Sequence, residues 1–164
     1  MFSFKEVDNL PIVEANKAIQ GTLGGSDIVF EQSLVDAIIE ETKGYPFFLQ
    51  FYGYFLVEET NKNRLSLDDL KRLRPALVKE LDMQFFDDRY NLASDKEKKV
   101  LTAMAKAGTP TVAALTIRTK AGISHPVLME LLKRLIEKGL VFRASRGKYG
   151  FSIPLFREYL LRNE

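Results

Sequence analysis

The chain has 164 residues, no cysteine, one histidine and a formal net charge of +2. The lack of cysteine excludes disulfides, thiolate zinc sites and a cysteine nucleophile. Any metal site would have to be built from carboxylates, and no such cluster stands out. No stretch reaches the roughly 18 apolar residues of a membrane span. Met1 is not followed by the basic start and apolar run of a signal peptide. A cytoplasmic chain with no membrane contact is therefore expected.

The elements read in chain order as a mainly α protein. Phe2 to Leu10 is short and extended. Pro11 opens a helix to about Ile19, because proline is tolerated in a first turn, and Gln20 to Ser26 is a glycine-rich loop. A second helix runs from about Glu31 to Lys43 and ends at Gly44. Pro46 starts a third helix, to about Glu59, that is apolar on nearly every side. Such a helix is either buried all round or faces a partner. Its Phe47 to Phe55 stripe reads first as core. Left exposed, it would be a docking or homodimer face. Ser66 with Asp69 is a capping-box variant. The helix behind it is expected to break or kink at Pro75 and continue to about Phe86. Ser94 and Glu97 form a full capping box, with Val100, Leu101 and Met104 on one stripe. Thr111 to about Lys120 is expected as a helix with Val112 and Leu115 inward. Ser124 caps a longer helix to Lys138, Leu140 to Arg143 is a strand, and Gly147 supplies the turn to a returning strand through Ile153. Pro154 opens a last helix. Three helices, a β-hairpin and a helix are the order of a winged helix-turn-helix.

Charge is divided along the chain. Residues 94–164 hold 14 Lys and Arg against 6 Asp and Glu, whereas residues 1–93 hold 10 against 16. A basic half suits a polyanion such as nucleic acid.

The string Thr42-Lys-Gly-Tyr-Pro-Phe-Phe-Leu-Gln50 resembles the lid of archaeal-type and STAND AAA ATPases, relatives of the replication-origin initiators. The resemblance continues through Phe85 to Arg89, Ser94 to Glu97, Met104 to Gly108, Leu135 to Leu140 and Tyr149 to Pro154. It implies a helical AAA lid over residues 1–65, a linker helix over 66–93 and a winged helix-turn-helix over 94–164. It also implies that Gly44, Tyr45 and Pro46 lie near the adenine of bound nucleotide. The departure is large: no Gly-x-x-x-x-Gly-Lys-Ser/Thr phosphate loop occurs, nor a strand ending in paired acids to hold Mg²⁺. The chain is thus expected to hold no cofactor and to catalyse nothing alone. ATP and Mg²⁺ would belong to a P-loop domain upstream of Met1.

In a winged helix the second helix of the motif enters the major groove. Ser124 and His125 would stand at its N-terminus, with Lys133 on its exposed side. Lys120 precedes the turn, and Arg143, Arg146 and Lys148 dress the wing, where phosphate or minor-groove contact is expected. Met129 and Glu130 beside the reading face count against base contact, since a carboxylate repels the backbone. Duplex DNA is the expected partner, and a protein or the chain's own ATPase domain is the alternative. His125 has no nucleophile or orienting acid beside it in the sequence, so it is not expected to be catalytic.

Overall fold

The computed structural model describes residues 9–164, and the expected extended segment from Phe2 lies outside them except for Asn9 and Leu10. The protein is mainly helical with two small sheets. Among the described residues, no helix is long and apolar enough to cross a membrane. The chain forms two compact units that divide after Leu81.

The first unit contains α1 (Ile12–Thr22), β1 (Val29–Phe30), α2 (Gln32–Thr42), α3 (Pro46–Glu58), β2 (Arg64–Leu65) and α4 (Leu67–Leu81). Ala15 and Ile19 of α1, Leu34 and Ile38 of α2, Phe48, Leu49, Tyr52 and Leu56 of α3, and Leu70, Leu73 and Leu77 of α4 supply its core. These side chains recur at helical spacing, so each helix turns one apolar stripe inward. In α3, Phe47 and Tyr54 remain exposed, and Phe47, Phe51 and Phe55 form a ladder of stacked rings one turn apart. The aromatic stripe is therefore partly core and partly surface. Two-residue strands β1 and β2 pair in parallel, Val29 with Arg64 and Phe30 with Leu65.

Pro75 does not break α4, which runs through it. Proline costs the carbonyl one turn back its partner, but that carbonyl belongs to Lys71, and both residues lie on the exposed side. Water can take the missing bond. At its start, Asp69 is buried and accepts hydrogen bonds from the Ser66 amide, the Ser66 hydroxyl, Lys62 at 2.6 Å and Arg72. The Lys62 ammonium and the Ser66 amide hold the Asp69 carboxyl well below its usual range, against the opposing effect of burial.

The second unit begins with a π-helical segment, Asp82–Phe86, and the short α5 (Asp87–Asn91). The expected linker helix over 66–93 is thus not one element, and the division does not fall near Asn91 to Ser94. Packing explains why. α4 is buried against α2 and α3, whereas Phe86 stacks on Phe156 and Tyr159 in the second unit. There follow α6 (Asp95–Ala105), β3 (Thr111–Ala113), α7 (Ala114–Ala121), α8 (His125–Glu137), β4 (Val141–Ser145), β5 (Lys148–Phe151) and α9 (Phe156–Arg162). The Ser94–Glu97 capping box is formed in both directions. Glu97 is almost wholly buried and also receives Lys138 at 2.6 Å, while Lys138 donates to the Leu92 carbonyl. This clamps the entry of α6 to the exit of α8. Burial alone would raise the Glu97 carboxyl, but the Lys138 and Ser94 bonds outweigh it and hold it low.

The sheet order is β3-β5-β4, antiparallel throughout. Thr111 to Ala113 is therefore a strand and not the first turn of a helix. Val112 is buried, opposite Tyr149, and Leu115 is 63% exposed rather than inward. Ile117 takes the inward position in α7.

Candidate nucleic-acid interface

The residues expected to meet nucleic acid all lie in the second unit, and all are exposed. They fall into two groups and one outlier. Arg143, Arg146 and Lys148 belong to the β4–β5 hairpin, whose two-residue tip is Arg146–Gly147. Gly147 takes a left-handed backbone with φ of 74°, which a residue with a side chain adopts at a cost. Its carbonyl accepts a hydrogen bond of 2.9 Å from the Ala114 amide. The tip is thereby fastened to the first residue of α7, and β3 flanks it through the pairing of Ala113 with Lys148.

Lys120, Ser124 and His125 flank the turn between α7 and α8. Gly122 closes α7 in a left-handed conformation, and its amide and that of Ile123 both bond the Arg118 carbonyl. Ser124 is the N-cap of α8 by backbone geometry, but its hydroxyl makes no capping bond. Lys120 lies six residues along α7 from the hairpin contact at Ala114, about 9 Å along the axis. Lys133 is two turns further along α8 from His125 and pairs with Glu137 at 4.0 Å. It stands apart from both groups.

Among the described residues, Lys120, Arg143, Arg146 and Lys148 form no ion pair, and neither does the half-exposed Arg118 of α7. Elsewhere in the unit Arg162 pairs with Asp82, Lys106 with Glu164, Lys138 with Glu97 and Arg134 with Glu130, while Lys96, Lys98 and Lys99 of α6 form no ion pair among the described residues. The exposed face of α8 carries Glu130, Lys133, Arg134 and Glu137, paired one turn apart, so its charges cancel. Val127, Met129 and Ile136 are the exposed apolar side chains of that helix.

In the first unit, Gly44, Tyr45 and Pro46 form the turn between α2 and α3. Gly44 has φ of 72°, and a Cβ built there would stand 2.5 Å from the Leu10 carbonyl oxygen. The Leu10 amide donates to the Gly44 carbonyl at 2.9 Å. Tyr45 packs its ring 4.8 Å from that of Phe48. These internal contacts demand glycine at position 44 with or without a nucleotide nearby. A shallow cavity of about 210 Å³ in this unit is lined instead by Ile19, Leu23, Phe30, Val35 and their neighbours, and the turn does not line it.

No curated protein matches the chain. Residues 83–160 match the model of a family described as Domain of unknown function (DUF8462), a stretch slightly shorter than half the chain. It begins at the second residue of the second unit and ends inside α9, so the part of the chain that resembles that family is the unit carrying the exposed cations.

Proposed function

We propose that the second unit is a winged helix that binds duplex DNA, in a protein whose first unit is the lid of an AAA/STAND-type ATPase. The observation that carries the DNA reading is the set of cations without acid partners on the hairpin and α7, beside an α8 face whose charges cancel one another. Free cations release the counterions condensed on a duplex, and that release drives backbone binding. The order α6, β3, α7, α8, hairpin, α9 supports the winged-helix assignment. The lid assignment is supported by the four helices of the first unit and by the Gly44–Pro46 turn between α2 and α3. In this reading ATP and Mg²⁺ are bound by an upstream P-loop domain, and the lid transmits nucleotide state to the DNA-binding unit.

The test is binding of a fluorescent 20-base-pair duplex across a salt series. If Lys120, Arg143, Arg146 and Lys148 each meet a phosphate, affinity falls on the order of 10²-fold between 50 and 200 mM salt. Absence of binding at low salt refutes the reading. A second reading, docking of a protein partner or of the ATPase domain itself, is favoured by the neutral, partly apolar face of α8. It predicts binding that salt barely alters.

A further inference from the structure

We infer that the first unit binds a basic, extended peptide, which adds its backbone to the open edge of β1 at Phe30 and lowers one apolar side chain into the adjoining cavity. The site lies wholly in the first unit and does not depend on how the second unit is read. β1 and β2 form a sheet of two strands, so each has one edge without a neighbour among the described residues. The amides of Val29 and Glu31 donate to the Asn63 and Leu65 carbonyls on the β2 side. Backbone groups alternate in direction along a strand, so the amide and carbonyl of Phe30 point away from β2. Among the described residues neither has a hydrogen-bond partner. Phe30 is nevertheless only 9% exposed. Backbone groups on so buried a residue are paired in roughly nine cases in ten or more. What fits here is one acceptor and one donor at the spacing of a peptide unit, and an extended chain laid along a sheet edge supplies both.

In strand addition the main-chain bonds give affinity, and a pocket for a side chain gives selectivity. The pocket adjoins the same edge. Ile28, Val29 and Phe30 line the cavity of about 210 Å³ together with Ile19, Leu23 and Val35. A cavity of about 150 Å³ takes a benzene ring, so this one has room for a leucine or phenylalanine side chain. Its polar wall includes Gln32, whose side-chain amide already donates to Asp36 at 2.7 Å and to Asn16 at 3.5 Å. The cavity therefore favours an apolar side chain over a polar one.

Charge narrows the partner further. Asp27 precedes the cavity-lining Ile28, and Asp36 accepts from the cavity-lining Gln32. Both are exposed, and among the described residues neither carboxylate has a cation partner. The cation of the strand pair, Arg64, is taken by Glu31 at 2.9 Å. The rim is thus acidic, and lysine or arginine on either side of the apolar residue complements it.

The experiment titrates the full chain, isotope-labelled for amide NMR, with the probe peptide acetyl-Lys-Leu-Lys-Leu-Lys-amide. Saturable binding is expected, with the Phe30 amide exchanging about tenfold or more slowly in the complex. The same peptide with glutamate for lysine should bind about tenfold more weakly, and so should the lysine peptide to the Asp27→Lys, Asp36→Lys double variant. Gln20→Trp, at an exposed position on the cavity wall, should abolish binding while circular dichroism stays native. No saturation up to about 1 mM peptide, equal binding of the acidic peptide, or binding that leaves Phe30 exchange unchanged would overturn the inference. So would Phe30 protection that grows with protein concentration in the absence of peptide, which would make this edge an interface between copies of the chain.

Discussion

Gly44→Ala isolates the contact that closes the first unit. The substitution imposes a left-handed backbone on a residue with a side chain, costing about 1–2 kcal/mol. The reduced freedom of the unfolded chain returns roughly half a kcal/mol. The new methyl would also stand 2.5 Å from the Leu10 carbonyl oxygen, so residue 10 must move. Its 2.9 Å hydrogen bond to Gly44 is then strained or lost, at about 1 kcal/mol, and the local shift adds about 1 kcal/mol more. The total is about 3 kcal/mol. Gly25→Ala is the control, because Gly25 lies in the same unit with φ of 77° and open space where the Cβ would go. It carries only the backbone cost, about 1 kcal/mol. Urea unfolding followed by circular dichroism measures both. If Gly44→Ala costs no more than Gly25→Ala, the close approach to Leu10 contributes nothing and the reasoning fails.

Two further outcomes follow from the buried carboxylates. Lys138→Met leaves Glu97 buried with Ser94 as its remaining partner, and the second unit should lose about 3 kcal/mol at pH 7. Because the folded Glu97 carboxyl is held low, the unfolded state takes up its proton first as pH falls. The stability that Lys138 supplies is thus fully present above the unfolded value of about 4.3 and fades below it. The gap between wild type and variant should narrow as pH falls below that value, and a constant gap would contradict the assignment. Asp69→Asn removes the ion pairs with Lys62 and Arg72 and should cost the first unit about 2 kcal/mol at neutral pH. It should also flatten that unit's acid limb below about pH 4, since the charge whose protonation weakens the fold has gone. An undiminished acid limb in the variant would assign that limb to other groups.

Much of the helical framework was legible because its signals are local. Ser94 and Glu97 sit three apart before an apolar stripe, and the box forms as written. Gly44 and Pro46 bracket a helix boundary for reasons of backbone geometry alone. Local rules fall short where they meet a wider context. The proline rule predicts a break or a kink at Pro75 because a bond is lost there, but solvent on the exposed side can replace that bond and the helix runs on. Thr111 to Ala113 reads as helix because a three-residue strand is too short to show alternation. Only its partner β5, more than thirty residues on, reveals it. The β1–β2 pair is likewise invisible to periodicity, since each strand has two residues. Of the candidate interface, the cations were plain in the sequence. Their division into free and cancelled sets was not. The cancelling pairs on α8 are i,i+4 partners that could have been anticipated, whereas the hold of Ala114 on the hairpin tip depends on the folded sheet.

The β1–β2 pair has a kinetic corollary. It joins residues 35 positions apart and so encloses α2 and α3 in a ring, while the helices inside that ring need only neighbours. Closing a loop of that length costs about 3 kcal/mol of chain entropy, far more than a two-rung ladder returns. The ladder must then be a late clasp, fastened once α2 and α3 have condensed. Weakening it should hasten opening of the unit while leaving its rate of formation nearly untouched.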